Sequence, residues 1–149
     1  MHDAGQIAAA EPTAVGALSA REVALANAGA HDEANRTLPI IDGQVRGTPT
    51  TGTAWPANVH SVSYGTSTRA DAMTYIDGST GYGKQPVVVI RMVGTFALTH
   101  AGPSGSQPHT AGTVLTMLMD SASGRLLDMG IDDPKQAEQI YGAVEVYHS

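Results

Sequence analysis

The clearest alternation of apolar and polar positions runs through "PVVVIRMVGTFAL" at residues 86–98. One face of this stretch carries Val88, Ile90, Met92, Phe96 and Leu98. The other face is half polar, so the pattern predicts a strand of an antiparallel sheet with one side in the core and the other partly in water. Gly94 interrupts the apolar face, which indicates a bulge or the close approach of a neighbouring segment.

A second alternating stretch, "TVLTMLMDSASGRLLDMGI" at residues 113–131, predicts a β-hairpin. Each strand should present its apolar side chains on one face: Leu115, Met117 and Met119 in the first, Leu127, Met129 and Ile131 in the second. Gly124 ends the turn "DSASG", where a bulged hairpin needs a left-handed residue. Asp120 stands where its side chain accepts backbone amides of the turn, and Asp128 is expected to point outward.

One helix has a clear start signal in "SAREVALANAGA". Ser19 followed by Glu22 forms a capping box, and alanine-rich sequence follows it. We predict a helix from Ala20 to Ala28, because Gly29 is a typical helix stop. The apolar stripe of this helix is thin, so the helix must pack on a sheet to be stable.

The remaining elements are shorter. Residues 32–56 have no strand or helix period, but Asp42-Gly43 is a turn signal. Three apolar residues before this turn can anchor a passing strand: Leu38, Ile40 and Ile41. "VHSVSYG" at residues 59–65 predicts a short strand.

Two further elements complete the prediction. "STRADAMTYI" favours a short helix capped by Ser67 or Thr68, with a strand as the alternative. A last strand from Ala143 to His148 follows one helical turn after Pro134. Thr99–Gly112, rich in Gly, Pro, Ser and Thr, predicts a long mobile loop.

These elements predict a single α+β domain at residues 17–149. It has an antiparallel sheet of four to five strands with an N-terminal helix packed on one face. Residues 1–16 are predicted to be a loose N-terminal arm, because nothing in their sequence would order them. They lack the basic and apolar regions of a signal peptide, and we interpret them as the segment left after its removal. This interpretation predicts an extracellular or cell-envelope location.

Composition excludes several classes of function. The 149 residues carry a net charge of −6, with no basic patch, which argues against a nucleic-acid partner. No apolar run approaches the roughly 18–20 residues of a membrane span. The chain has no cysteine, which excludes disulfides, thiolate metal sites and cysteine nucleophiles.

Candidate binding residues are few. Trp55 is the only tryptophan, and it lies in a loop, where a lid packed on the core is the commoner role. His100 and His109 bracket the long loop and can approach each other across its mouth. These three residues are the predicted binding residues. No two of the six histidines have the spacing that places two imidazoles on one face.

No metal site, cofactor or catalytic residue is predicted. The acidic group Asp120, Asp128, Asp132 and Asp133 lacks the spacing of a calcium loop, although a hard-cation cluster is conceivable there. Nucleophile-elbow, dinucleotide-binding and P-loop motifs do not occur. The triplet at residues 35–37 matches an N-glycosylation sequon, which matters only in a eukaryotic secretory pathway.

Residues 67–132, with the strand "PVVVIRMVGTFAL" and the hairpin "AGTVLTMLMDSASGRLLDMGI", resemble uncharacterised small exported proteins of high-GC Gram-positive bacteria. The Asp-x-x-Ser-Gly-x-Leu-Leu turn also resembles the second hairpin of PepSY-like domains. The resemblance implies export and a helix-on-sheet fold. It implies no catalytic residue.

The leading functional hypothesis is a non-catalytic exported bacterial domain that binds a protein or a cell-envelope component. One alternative is a structural or assembly subunit of an extracellular layer, filament or particle, which would form a homo-oligomer with its N-terminal arm ordered by a neighbour. The other alternative is a hydrolase in which His100 or His109 works with Asp128 or Asp132.

Overall fold

The computed structural model describes residues 18–78, 80–99, 109–132 and 143–149. The helices and strands of these residues are, in chain order, α1 (Ala20–Arg36), β1 (Ile40–Ile41), β2 (Gln44–Val45), β3 (Val59–Thr68), α2 (Arg69–Asp77), β4 (Pro86–Thr99), β5 (His109–Asp120), β6 (Leu126–Asp132) and β7 (Val144–His148). The predicted arm at residues 1–16 and the predicted helical turn after Pro134 lie outside the described residues.

Five strands form one antiparallel sheet in the order β6-β5-β4-β3-β7. Strands β3 to β6 are neighbours both in sequence and in space, whereas β7 returns to the opposite edge and pairs with β3. β1 and β2 form a separate two-stranded hairpin. The predicted α+β fold, with an N-terminal helix and a sheet of four to five strands, is confirmed.

α1 starts as predicted but ends later. The capping box is present, with the Ser19 N–H donating to Glu22 Oε1 at 2.8 Å and the Glu22 N–H donating to Ser19 Oγ at 3.1 Å. The predicted end at Ala28 is wrong, because the helix continues through Gly29 to Arg36. The following turns bury three residues, Ala30, Glu33 and Ala34. That burial outweighs the ~1 kcal/mol that a glycine costs inside a helix.

The main core lies between α1 and one face of the sheet. The central strands contribute Val88, Ile90, Met92 and Phe96 from β4, and Leu115, Met117 and Met119 from β5. These are the apolar faces that the alternation predicts; the side chain of Leu98 lies outside the described part. Tyr64 of β3 is fully buried, and its hydroxyl donates to Asn27 Oδ1 of α1 at 2.6 Å. Burial raises the pKa of Tyr64.

α2 covers part of the opposite face. Thr68 caps this helix, accepting the Asp71 N–H at 3.2 Å, as predicted for this position. Ala72 and Met73 form a smaller cluster with three residues of the sheet: Val87, Val89 and Leu118. The β4 members of this cluster lie in the first four residues of the strand.

Two predictions in the region of β4 to β6 need correction. The predicted loop Thr99–Gly112 is too long, because β4 continues to Thr99 and β5 begins at His109, with these two residues paired. Leu127 does not share a face with Met129 and Ile131. A bulge next to Leu118 turns Leu127 toward the smaller cluster, while the other two side chains pack against the main core.

Gly94 marks both a register shift and a close approach, as its position in the strand predicts. The pairing of β4 with β5 is irregular between Val93 and Phe96. A Cβ atom at Gly94 would overlap the carbonyl oxygen of Asn58. That carbonyl accepts the Thr95 N–H at 2.9 Å, and the Asn58 side-chain amide donates to the Thr95 carbonyl at 2.7 Å. The absence of a side chain at Gly94 lets these two backbones meet.

Candidate functional site

The hairpin formed by β1 and β2 is the most exposed apolar element in the described part of the chain. All residues from 41 to 49 are exposed. Ile41 and Val45 expose 52% and 56% of their surface, more than the other large apolar side chains that the structure describes as exposed. Ile41 pairs with Gln44 and Val45 pairs with Ile40, so the apolar side chains occupy both faces of the hairpin. Ile41 and Val45 are therefore exposed on opposite faces of the same short hairpin.

The turn of this hairpin is tightly defined. Asp42 and Gly43 have φ values of 53° and 76°, so both central residues are left-handed. Two left-handed residues make the type I′ turn that Asp-Gly favours, which confirms the predicted turn. The Arg46 N–H donates to the Pro39 carbonyl at 2.8 Å and closes the base. The strand expected before the turn is only two residues long.

A hydrogen-bonded clamp holds the chain where it returns from the hairpin to α1. Asn35 Oδ1 accepts the Thr50 N–H at 2.7 Å, and Asn35 Nδ2 donates to the Thr50 carbonyl at 3.1 Å. Thr50 Oγ1 donates to the Ala54 carbonyl at 2.9 Å and lies 2.9 Å from His31 Nε2. Because the single hydroxyl proton of Thr50 is used by Ala54, His31 Nε2 must be the donor in the second contact.

Trp55 completes the clamp from the other side. It is partly buried and packs against the main core, as the lid interpretation predicts. Its ring centroid lies 5.8 Å from that of His31 in α1 and 5.8 Å from that of Tyr147 in β7. Through these two ring contacts, Trp55 holds the loop that follows the hairpin against α1 and against the edge strand β7. Its direct contact with a partner stays a prediction.

The other two predicted binding residues do not join this site in the described structure. His109 begins β5, and two strands, β4 and β3, separate β5 from β7 in the sheet. His100 lies outside the described residues, and so does Asp133 of the acidic group. Among the residues that the structure describes, no three histidine or acidic side chains are grouped so that they could hold a metal ion.

Asp120 organises the turn between β5 and β6, as predicted. Its Oδ2 accepts the Ser123 hydroxyl at 2.5 Å and the Ser123 N–H at 3.0 Å, and its Oδ1 accepts Gln85 Nε2 at 3.0 Å. These hydrogen bonds, the Ser123 hydroxyl first, lower the pKa of Asp120 to about 2. Gly124 follows with φ 77°, the left-handed conformation expected of it.

Asp128 has a different local role. Its Oδ1 accepts the N–H of the next residue, Met129, at 2.8 Å. Because that amide belongs to the edge strand β6, the carboxylate occupies a donor that another strand would otherwise use.

The side chains of Asn35 and Thr37, which define the sequon at residues 35–37, are both hydrogen-bonded within the fold. The Asn35 amide is engaged in the clamp, and Thr37 is fully buried with its hydroxyl donating to the Glu33 carbonyl at 2.8 Å. The folded chain therefore does not present Asn35 for glycosylation.

Glu33 is also buried, and this burial raises the pKa of its carboxyl group, while the nearby Arg36 lowers it.

A scan against protein-family models finds no match, and searches of curated proteins and of solved structures find no significant similarity. Within the described residues, neither helix has the length and apolar character that crossing a membrane requires.

Proposed function

We propose that this chain is a non-catalytic exported bacterial domain that binds a protein or a cell-envelope component through the β1–β2 hairpin. The observation that supports this proposal is the exposure of Ile41 and Val45 on a hairpin whose turn and base are both fixed. The predicted location and partner class come from the sequence, and the hairpin supplies the contact surface.

Preorganisation is the physical reason to favour this element. A two-stranded hairpin alone is marginally stable in water. Here the Pro39–Arg46 hydrogen bond, the Asn35–Thr50 clamp and Trp55 hold the flanking chain. A contact element that is already ordered loses little conformational entropy on binding.

The exposed apolar surface sets the expected strength. Burying a whole valine or isoleucine side chain contributes about 1.5–3 kcal/mol. Roughly half of Ile41 and of Val45 is exposed, and the two side chains lie on opposite faces of the hairpin. A partner that encloses the hairpin and covers both gains about 2 kcal/mol, or ~30-fold in affinity.

The sheet edges are less suited to strand addition. Asp128 occupies an amide of β6, and bulges interrupt the pairing of both edge strands, next to Leu118 for β6 and at Val62/Ser63 for β7. Bulges and inward-folded charges are common devices that prevent edge-to-edge pairing.

The test measures binding to cell-envelope fractions of a high-GC Gram-positive bacterium. The wild-type chain should bind saturably, and the double variant I41S/V45S should bind at least tenfold more weakly. The variant Q44S, on the same hairpin, should bind like the wild type. Protease treatment of the fraction separates a protein partner from a glycan. The proposal fails if the wild type shows no saturable binding, or if the double variant binds equally well.

An assembly subunit remains the second candidate, favoured by one observation. Leu126 in β6 and Val144 in β7 expose 40% and 39% of their surface, so each edge strand carries an exposed apolar side chain. A head-to-tail contact between the two edges would propagate into a filament. Light scattering at increasing protein concentration tests this candidate, and a monomer at all concentrations would argue against it.

A further inference from the structure

One row of polar side chains crosses the sheet on the face that α2 covers in part. Arg91 of β4 is paired with Ser63 of β3 on one side and with Thr116 of β5 on the other. Directly paired residues of antiparallel strands point to the same face. Arg91 is two residues from Val89, which belongs to the smaller cluster, so the row adjoins that cluster.

Two neighbouring groups of this row are buried without a partner. Arg91 Nε and Thr116 Oγ1 both lack a hydrogen bond, and Thr116 is only 2% exposed. Within the described part of the chain, no ion pair involves Arg91. Buried polar groups nearly always find a partner, so two adjacent exceptions need an explanation.

The described acids nearest to this row have other contacts. Glu145, paired with Ser63, lies 3.4 Å from His148 Nδ1, a contact that is an ion pair only when the imidazole is protonated. Asp128, paired with Leu118, accepts the Met129 N–H. The guanidinium group of Arg91 therefore has no carboxylate partner among the described residues. The residue as a whole is partly exposed, whereas its Nε atom is buried.

The geometry points to a small oxyanion as the missing partner, and we propose that Arg91 and Thr116 bind one, a carboxylate or a phosphate. The planar guanidinium donates in the fork that matches two oxygen atoms of such a group. The Thr116 hydroxyl adds a third donor on the neighbouring strand. This site is independent of the hairpin and of its partner.

The test is an NMR titration of the whole chain with acetate and, separately, with phosphate, each at constant ionic strength set by chloride. The resonances of the Arg91 Nε–H and the Thr116 methyl group should shift saturably. R91M should weaken binding roughly tenfold or more, because a charge-assisted hydrogen bond is lost. T116V should weaken it less, and R125M, with the same change of net charge at an exposed turn, should leave it unchanged.

The two titrations distinguish the sources of the oxyanion. Saturation by acetate alone identifies a carboxylate ligand, and saturation by phosphate alone identifies a phosphate ligand. The proposal is overturned if neither anion shifts these resonances. It is also overturned if R91M and R125M weaken the shifts equally, since the effect would then be one of general charge. A third contrary result is loss of stability in R91M with no response of the wild type to either anion, which would indicate a partner from within the chain.

Discussion

Two glycine-to-alanine substitutions should have opposite effects on stability. Gly94 lies against the Asn58 carbonyl, whereas an added Cβ at Gly29 meets no atom within 4 Å. G94A should therefore destabilise the fold, and G29A should stabilise it. Each substitution adds one methyl group, so the comparison isolates the surroundings of the glycine from the chemistry of the change.

The magnitude for G94A has two parts. Overpacking a close contact costs about 1–3 kcal/mol, and backbone yields less readily than a side chain. Separating the two segments also weakens the hydrogen bonds between Asn58 and Thr95, each of which contributes about 1 kcal/mol. The expected loss is about 3–5 kcal/mol, a large part of the ~5–15 kcal/mol that stabilises a typical domain. For G29A, the intrinsic helix preference predicts a gain of about 1 kcal/mol.

Urea denaturation followed by circular dichroism and by the fluorescence of Trp55 measures both effects. The slope of the free energy against urea should stay unchanged, so that the midpoint carries the difference. A loss below about 1 kcal/mol for G94A would refute the close approach of Gly94 and Asn58. Destabilisation by G29A would refute the continuous helix through Gly29.

Two further predictions concern the clamp and the turn. N35A should speed the hydrogen exchange of the Thr50 amide, because this amide loses its acceptor. D32A, on the exposed face of the same helix, should leave that exchange rate unchanged. Equal protection of the Thr50 amide in N35A and in the wild type would contradict the clamp. The pKa of Asp120 is lowered from 3.8 to about 2 in the folded state, so its stabilising contribution is present above about pH 3.8 and is lost as the pH falls toward 2. D120N lacks this contribution, and the stability difference between wild type and D120N, measured by denaturation, should shrink over that range; a constant difference would contradict the turn hydrogen bonds.

The sequence predicts the elements whose signals are local. The capping box at Ser19, the Asp42-Gly43 turn and the left-handed Gly124 depend only on neighbouring residues, and all three are confirmed. The end of α1 is not predicted correctly. The helix continues past Gly29 because its later turns are buried against the sheet, and this tertiary packing cannot be inferred from the helix sequence alone. The packing of Leu127 against the smaller cluster, on the opposite face from Met129 and Ile131, is missed. The bulge that causes it changes the alternation without changing the composition.

The candidate site is predicted only in part. Asp42-Gly43 signals the turn but not the second strand of the hairpin, and Trp55 is correctly expected to pack on the core. The exposure of Ile41 is not predicted, because the same apolar residues next to a turn occur both in strands packed on the core and in strands exposed to solvent. The polar row around Arg91 depends on the register of three strands, and register is a property of the assembled sheet.

The order of the strands also has a consequence for how the chain folds. β3, β4, β5 and β6 pair with their neighbours in sequence, so each pairing closes a shorter segment of chain than the pairing of β7 with β3 does. β7 must wait until β3 has formed, because β3 is its partner among the described strands and lies about half of the chain away in sequence. Until β7 arrives, β3 is an unprotected edge in a half-folded chain, the state in which intermolecular pairing competes with folding. Pairing of the short strand β7 with β3 therefore ends the period of folding in which β3 is open to intermolecular pairing.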